Sequence, residues 1–219
     1  MELNIPENIN EITLSQYQKF ELANKEGADE EFVINKMISI FCDIDMRDTL
    51  DIKLEQAEEV ADDLADVLVQ EGTFQQRFEY KGKEWGIIPN LTDITLGEYI
   101  DLEEALKDTQ QLHRAMAVLY RPITKKYKKL YSIEKYEGAS KYSDEMKDLP
   151  LGTASAAVVF FYNLSNGLLK ASPAYFQKLA QMEQKKKKTT PQKDSSVRSG
   201  AGLRQYTAWL AEVLPDLMR

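Results

Sequence analysis

A chain of 219 residues with 43% hydrophobic and 29% charged side chains can bury one sizeable core or two small ones, which excludes disorder throughout. Its single cysteine, Cys42, excludes an intrachain disulfide and any multi-cysteine metal site, and a reducing compartment is expected. The net charge of −8 conceals an asymmetry, because residues 1–100 hold 23 acidic and 8 basic side chains and residues 101–219 hold 13 and 20.

Met1 to Pro6 offer neither a basic n-region nor an apolar core, so no secretory signal is expected. Ile5 to Tyr17 then reappears, with one deletion, as Ile88 to Tyr99. The two stretches share the order acidic residue, Ile, Thr, Leu, two variable residues, Tyr. Further on, Met37 to Ile44 is echoed by Met116 to Ile123, and Asp51-Ile52-Lys53-Leu54 by Asp148-Leu149-Pro150-Leu151. Three matches in one order point to a duplicated module.

Each copy is predicted to run from a Pro-containing extended lead-in to a Thr, Thr13 or Thr95, whose hydroxyl can accept from an N–H in the first helical turn. A first helix follows at about 14–25 and 96–108, a second near 30–42 and 110–120. The third helix of copy one, 54–69, sets Leu54, Ala57, Ala61, Leu64, Val67 and Leu68 on one stripe and carboxylates elsewhere. Its counterpart, 151–169, is apolar almost all round, which predicts burial between elements or subunits, with Val158 and Phe161 as contact residues. Thr153, Ser155, Asn163, Ser165 and Asn166 interrupt that stretch and argue against a membrane span.

Between the copies, apolar and polar residues alternate around a Lys81-Gly82 turn from Phe74 to Ile88, which predicts a β-hairpin. Residues 125–142, with six Lys and four Tyr, read as a low-complexity loop. After Pro173 comes a Lys-, Ser- and Gly-rich linker containing Lys185 to Lys188. It leads to Leu203, Tyr206, Trp209, Leu210, Val213, Leu214 and Leu217 at helical spacing, suited to docking in a groove. The expected organisation is helical repeat 1 (1–72), a hairpin connector (73–88), helical repeat 2 (89–172), a linker (173–202) and a C-terminal docking helix (203–219). The expected fold class is mainly α, a duplicated helical bundle with one hairpin between the copies.

Parts for catalysis are scarce. His113 is the only histidine and has no Ser or Asp arrangement nearby in sequence. No phosphate-cradling glycine pattern occurs. The run Asp43 to Asp48 lacks the glycine and terminal glutamate of a calcium loop. Neither catalytic residue, cofactor nor metal is expected. Glu58/Asp62 and Glu59/Asp63 stand four residues apart on a helix without facing ligand helices and read as solvated charge rather than a dimetal site. Lys125, Lys126, Lys128 and Lys129, interleaved with Tyr127 and Tyr131, make nucleic acid an alternative partner. It ranks below protein, because a chain of pI ≈ 4.9 repels a polyanion elsewhere. An acidic front and basic back can pair head to tail with copies of the same chain, the self-association expected, or select partners of complementary charge at each end.

Ile88 to Glu103, preceded by the Lys81-Gly82-Lys83-Glu84 turn and followed by Ala115 to Ile123, resembles small proteins from the structural gene blocks of tailed bacteriophages, tail assembly chaperones in particular. The likeness spans about residues 5–170. It implies a cofactor-free protein that binds phage tail or connector subunits in the host cytoplasm during assembly. Tyr206, Trp209, Leu210, Val213, Leu214, Leu217, Val158, Phe161, Glu58 and Asp62 are the contact residues expected. The duplication departs from shorter members of that group and leaves a permanent virion subunit, in a connector or baseplate, as the alternative role.

Overall fold

A computed structural model of the chain describes residues 3–24, 29–90, 94–128 and 130–163. It divides into two units, residues 1–157 and 158–219.

In the first unit, helix α1 (Leu14–Ala23) starts where the sequence places its cap. The Thr13 hydroxyl accepts from Gln16 N at 3.2 Å, and the Gln16 side chain accepts from Thr13 N at 2.9 Å. Helix α2 (Glu30–Phe41) is capped by Asp29, whose carboxylate accepts from Phe32 N. A 3-10 turn, Asp48–Asp51, leads to α3 (Leu54–Leu68). The face that α3 buries is Ala57, Val60, Leu64 and Val67. Leu54, read in sequence as the first residue of that stripe, is instead 67% exposed. Leu64 and Ile38 are fully buried, each contributing about 1.5–3 kcal/mol by leaving water.

Strands β1 (Arg77–Tyr80) and β2 (Lys83–Ile87) form the expected hairpin. Its turn residues Lys81 and Gly82 have φ of 48° and 71°, matching the right-handed twist of the strands. Helices α4 (Leu96–Leu106) and α5 (Leu112–Leu119) pack together. The chain then enters a second hairpin, β3 (Tyr120–Tyr127) and β4 (Leu130–Ile133), before the short helix α6 (Ser143–Met146). The hairpins merge into one antiparallel sheet, β1-β2-β3-β4, through Trp85↔Pro122, Gly86↔Arg121 and Ile87↔Tyr120. Trp85, Tyr120, Met116, Leu119 and Met146 are fully buried and make the core between sheet and helices. Gly86 is required where it stands: a Cβ there would lie 2.5 Å from the Tyr131 ring, whose hydroxyl donates to Ile87 O at 2.8 Å.

The fold is therefore mixed α/β, and the expectation of a mainly helical bundle with a single hairpin is corrected. The second helix of copy two stops at Leu119, and the supposed low-complexity loop begins as two strands. Lysine pairs hide the period-two pattern there. Its turn carries Lys128 at φ 54° rather than the Asn or Gly that usually marks one. The register also shifts between Ile123 and Lys125, beside Pro122, which has no N–H for the ladder.

The segment before α1 is stitched to residues 147–151. Leu14 N donates to Leu149 O, Ser15 N to Lys147 O and Leu151 N to Ile12 O, around a Thr13↔Pro150 bridge. Residues 151–157 close the unit in helical conformation, and Gly152 there passes so near Gly72 that a methyl on Gly72 would be driven into the Gly152 carbonyl.

Residues 158–163 of the second unit are helical, with Val158 half-buried, Val159 exposed and Phe161 buried. No helix among the described residues is long and apolar enough to cross a membrane.

Candidate functional site

The acidic front of the sequence becomes a surface through α2 and α3. A groove of about 550 Å³ runs between them, with half-buried Val33, Ile34, Met37 and Ala61 and the exposed Leu54 in its walls. Four carboxylates, Glu30, Glu31, Glu58 and Asp62, rim it. On the other flank of α3 a second depression, about 370 Å³, sets Leu3, Ile5, Ile52 and Val60 against Asp48, Asp51, Glu59 and Asp63. The 3.6-residue period explains the split: successive carboxylate pairs alternate sides while Ala57, Val60 and Leu64 hold the buried face.

This arrangement is costly to the isolated helix. Glu55/Glu59, Glu58/Asp62, Glu59/Asp63 and Asp62/Asp66 are like charges four apart, each opposing the helix by about 0.2–0.5 kcal/mol. The last turn of α3 has no basic residue to answer the negative end of the dipole. None of the six carboxylates of α3 is ion-paired among the described residues, whereas Lys81, Lys83, Lys107, Lys126, Lys141 and Lys147 all find carboxylate partners elsewhere. Negative charge on both shoulders of an apolar groove offers apolar contact and cation binding together.

Among the residues expected to contact partners, Glu58 and Asp62 meet on one rim of this groove. Val158 and Phe161 lie in the other unit, and Tyr206, Trp209, Leu210, Val213, Leu214 and Leu217 fall outside the described residues. Sequence reading missed the apolar walls, Val33, Ile34 and Met37. Leu54 gave one available signal, an apolar residue at the first helical position where the buried stripe has not begun.

The chain matches no family model, no curated protein and no solved structure.

A third cleft, about 560 Å³, lies where β3 meets the start of α4 and is lined by Pro89, Thr95, Ile133, Lys135 and Tyr136 among others. At its base Glu98 and Arg121 form an ion pair with both side chains 6% exposed. Thr95 N and Oγ1 each donate to Glu98 Oε2 at 2.7 Å, and the Tyr136 ring covers the Arg121 guanidinium at 5.3 Å. Burial pushes the Glu98 carboxyl upward, but the two bonds from Thr95 and the charge of Arg121 outweigh it and hold it below the ordinary glutamate value. A carboxylate so held is a fastener, not a proton acceptor. Among the described residues Arg121 Nε and Nη1 have no hydrogen-bond partner, and the Tyr136 face offsets part of that cost.

His113 also has a packing role. Gln18 Nε2 donates to Thr109 O at 2.7 Å and lies 3.2 Å from His113 Nδ1, which joins α1 to α5. Burial pushes the imidazole below its ordinary 6.5, with Lys147 and Arg114 adding to the effect and Asp144 opposing it. Gln18 Nε2 can only donate, so this bond uses the ring tautomer whose Nδ1 is unprotonated. Burial likewise raises the Cys42 thiol, which disfavours the nucleophilic thiolate. Among the described residues, no group of three or more His, Cys, Asp or Glu could hold a metal ion.

Proposed function

We propose that the chain is a non-enzymatic assembly protein of a tailed bacteriophage, similar in role to tail assembly chaperones, that binds other tail or connector subunits. The observation that carries the binding reading is the α2–α3 groove, where Glu30, Glu31, Glu58 and Asp62 surround Val33, Ile34, Met37 and Leu54 and none of the four is ion-paired among the described residues. A partner offering apolar side chains flanked by Lys or Arg would bury the floor and relieve the repulsion along α3. The phage assignment is supported by the sequence resemblance alone, carried by residues 81–84, 88–103 and 115–123. A permanent virion subunit is the alternative role.

The nucleic-acid reading has less support. At the tip of the second hairpin Tyr127 and Leu130 are 70% and 72% exposed, but Lys126 is paired to Glu84 and Lys128 lies over the Tyr127 ring. The carboxylate of Glu84 already answers Lys126, which lowers what the tip gains by displacing counterions from a phosphate backbone.

The test is affinity capture from infected cells with the native chain and a Glu58→Lys/Asp62→Lys variant, alongside mass spectrometry of purified virions. Capture of a tail or connector subunit by the native chain, lost in the variant, is expected. Absence from finished particles marks a chaperone and a fixed copy number a structural subunit. Equal capture by both proteins removes the groove from the interface, and capture of no phage subunit overturns the reading.

A further inference from the structure

The groove's demand for cations raises the question of what supplies them, and the chain's own composition answers it. Residues 29–68, which build α2, α3 and both depressions, hold thirteen acidic and three basic side chains. None of those thirteen carboxylates is ion-paired among the described residues. Residues 158–219 hold ten basic and four acidic side chains, including the run Lys185 to Lys188, and continue into the apolar residues Leu203, Tyr206, Trp209 and Leu210. One stretch of the chain thus offers an apolar floor with anionic shoulders, and another offers cations followed by apolar anchors.

We infer that the α2–α3 groove binds the basic C-terminal stretch of a second copy of this chain, so that copies join head to tail. This rests on the proposed reading of the groove as a protein-binding surface and names its partner. The chemistry on each side is complementary: Glu58 and Asp62 face Lys185 to Lys188, and Val33, Ile34 and Met37 take the apolar residues that follow. The two surfaces differ, so the contact is heterologous. It leaves one free groove and one free basic stretch at the ends of every assembly until a ring closes. Reciprocal exchange closes that ring at two copies, and one-way exchange carries growth beyond a dimer.

The test is sedimentation velocity on the full chain over a wide concentration range at about 0.1 M and about 1 M salt, where the screening length falls from ~10 Å to ~3 Å. Species larger than the monomer are expected at low salt and their dissociation at high salt. Glu58→Lys/Asp62→Lys and a second variant carrying Glu at 185–188 should each self-associate about tenfold more weakly or worse. An equimolar mixture of the two should recover association, since the variant with Lys on its groove and the variant with Glu on its tail again present opposite charges. Circular dichroism of each variant identifies loss through misfolding, and recovery in the mixture excludes it independently. A native chain that stays monomeric at every concentration overturns the inference, as does self-association unaffected by either reversal. If the native chain is monomeric yet still captures a tail or connector subunit through Glu58 and Asp62, the inference fails and the proposed function stands. If it does neither, both fail.

Discussion

Glu98 and Arg121 are the buried counterpart of a contact that Gln16 makes in the first sequence repeat. In each repeat the residue that closes the capping box also reaches the end of the following helix: Gln16 Nε2 donates to Ile40 O at 2.9 Å, and Glu98 pairs with Arg121, which matches Cys42. A neutral side chain-to-backbone bond in one repeat has become an ion pair in the other. Arg121 follows the last residue of α5 by two positions, so the pair anchors the α4 cap to β3.

Removing one member of that pair should cost far more than removing both. Arg121→Met is expected to lower unfolding stability by about 3 kcal/mol, because Glu98 would remain buried without its counter-charge. Glu98→Gln/Arg121→Met should recover a large part of that loss. Urea unfolding of the two single variants and the double variant checks both statements, and additive losses would refute the coupling.

Stability should fall in two stages on acidification. His113, whose folded value lies below its ordinary 6.5, favours the neutral ring. Its contribution is complete above 6.5 and declines as the pH falls through 6.5 toward the lower folded value. Glu98 is also held below its ordinary 4.5, so its contribution is present above 4.5 and is lost as the pH falls through the depressed folded value. Thermal unfolding at a series of pH values should lose the upper stage in His113→Gln and keep the lower one.

Neutralising α3 should stabilise the free chain while weakening its binding. Asp62→Asn removes like-charge pairs with Glu58 and Asp66 and is expected to add about 0.5 kcal/mol. The same change should reduce partner affinity, and calorimetry with a binding measurement on one preparation tests the opposed signs. Loss of stability in Asp62→Asn would show that this carboxylate supports the fold.

Gly72→Ala should destabilise the first unit by about 3 kcal/mol, since the added methyl meets the Gly152 backbone and not a movable side chain. Gly82→Ala has open space around its Cβ and suffers only from φ of 71°, at about 1 kcal/mol. Chemical denaturation of the two variants should rank them in that order.

What could be read in the sequence was local. The Thr13 and Thr95 caps and the Lys81-Gly82 turn each rest on residues within a few positions of one another, and all three occur as read. The second hairpin escaped because its turn uses Lys128 at positive φ and its strands carry paired lysines. Glu98 was visible only as a helix-start residue. A charged Arg121 directly after the apolar run Ala115 to Tyr120 signalled the need for a buried partner, but 22 residues of chain separate it from Glu98. The groove was half legible: carboxylate spacing on α3 placed Glu58 and Asp62 on one side, while its apolar wall comes from α2, a tertiary contact that periodicity alone does not supply.

The bonds from Leu14, Ser15 and Leu151 across to the opposite end of the first unit give biosynthesis a defined order. While the ribosome is still making the sheet, α2 and α3 already have each other and Gln70 already meets Glu7 and Ile9, but Ile12, Leu14 and Ser15 lack the backbone partners they will use. Those bonds wait for residues 147–151 to emerge from the exit tunnel, so this seam is among the last parts of the unit to seal.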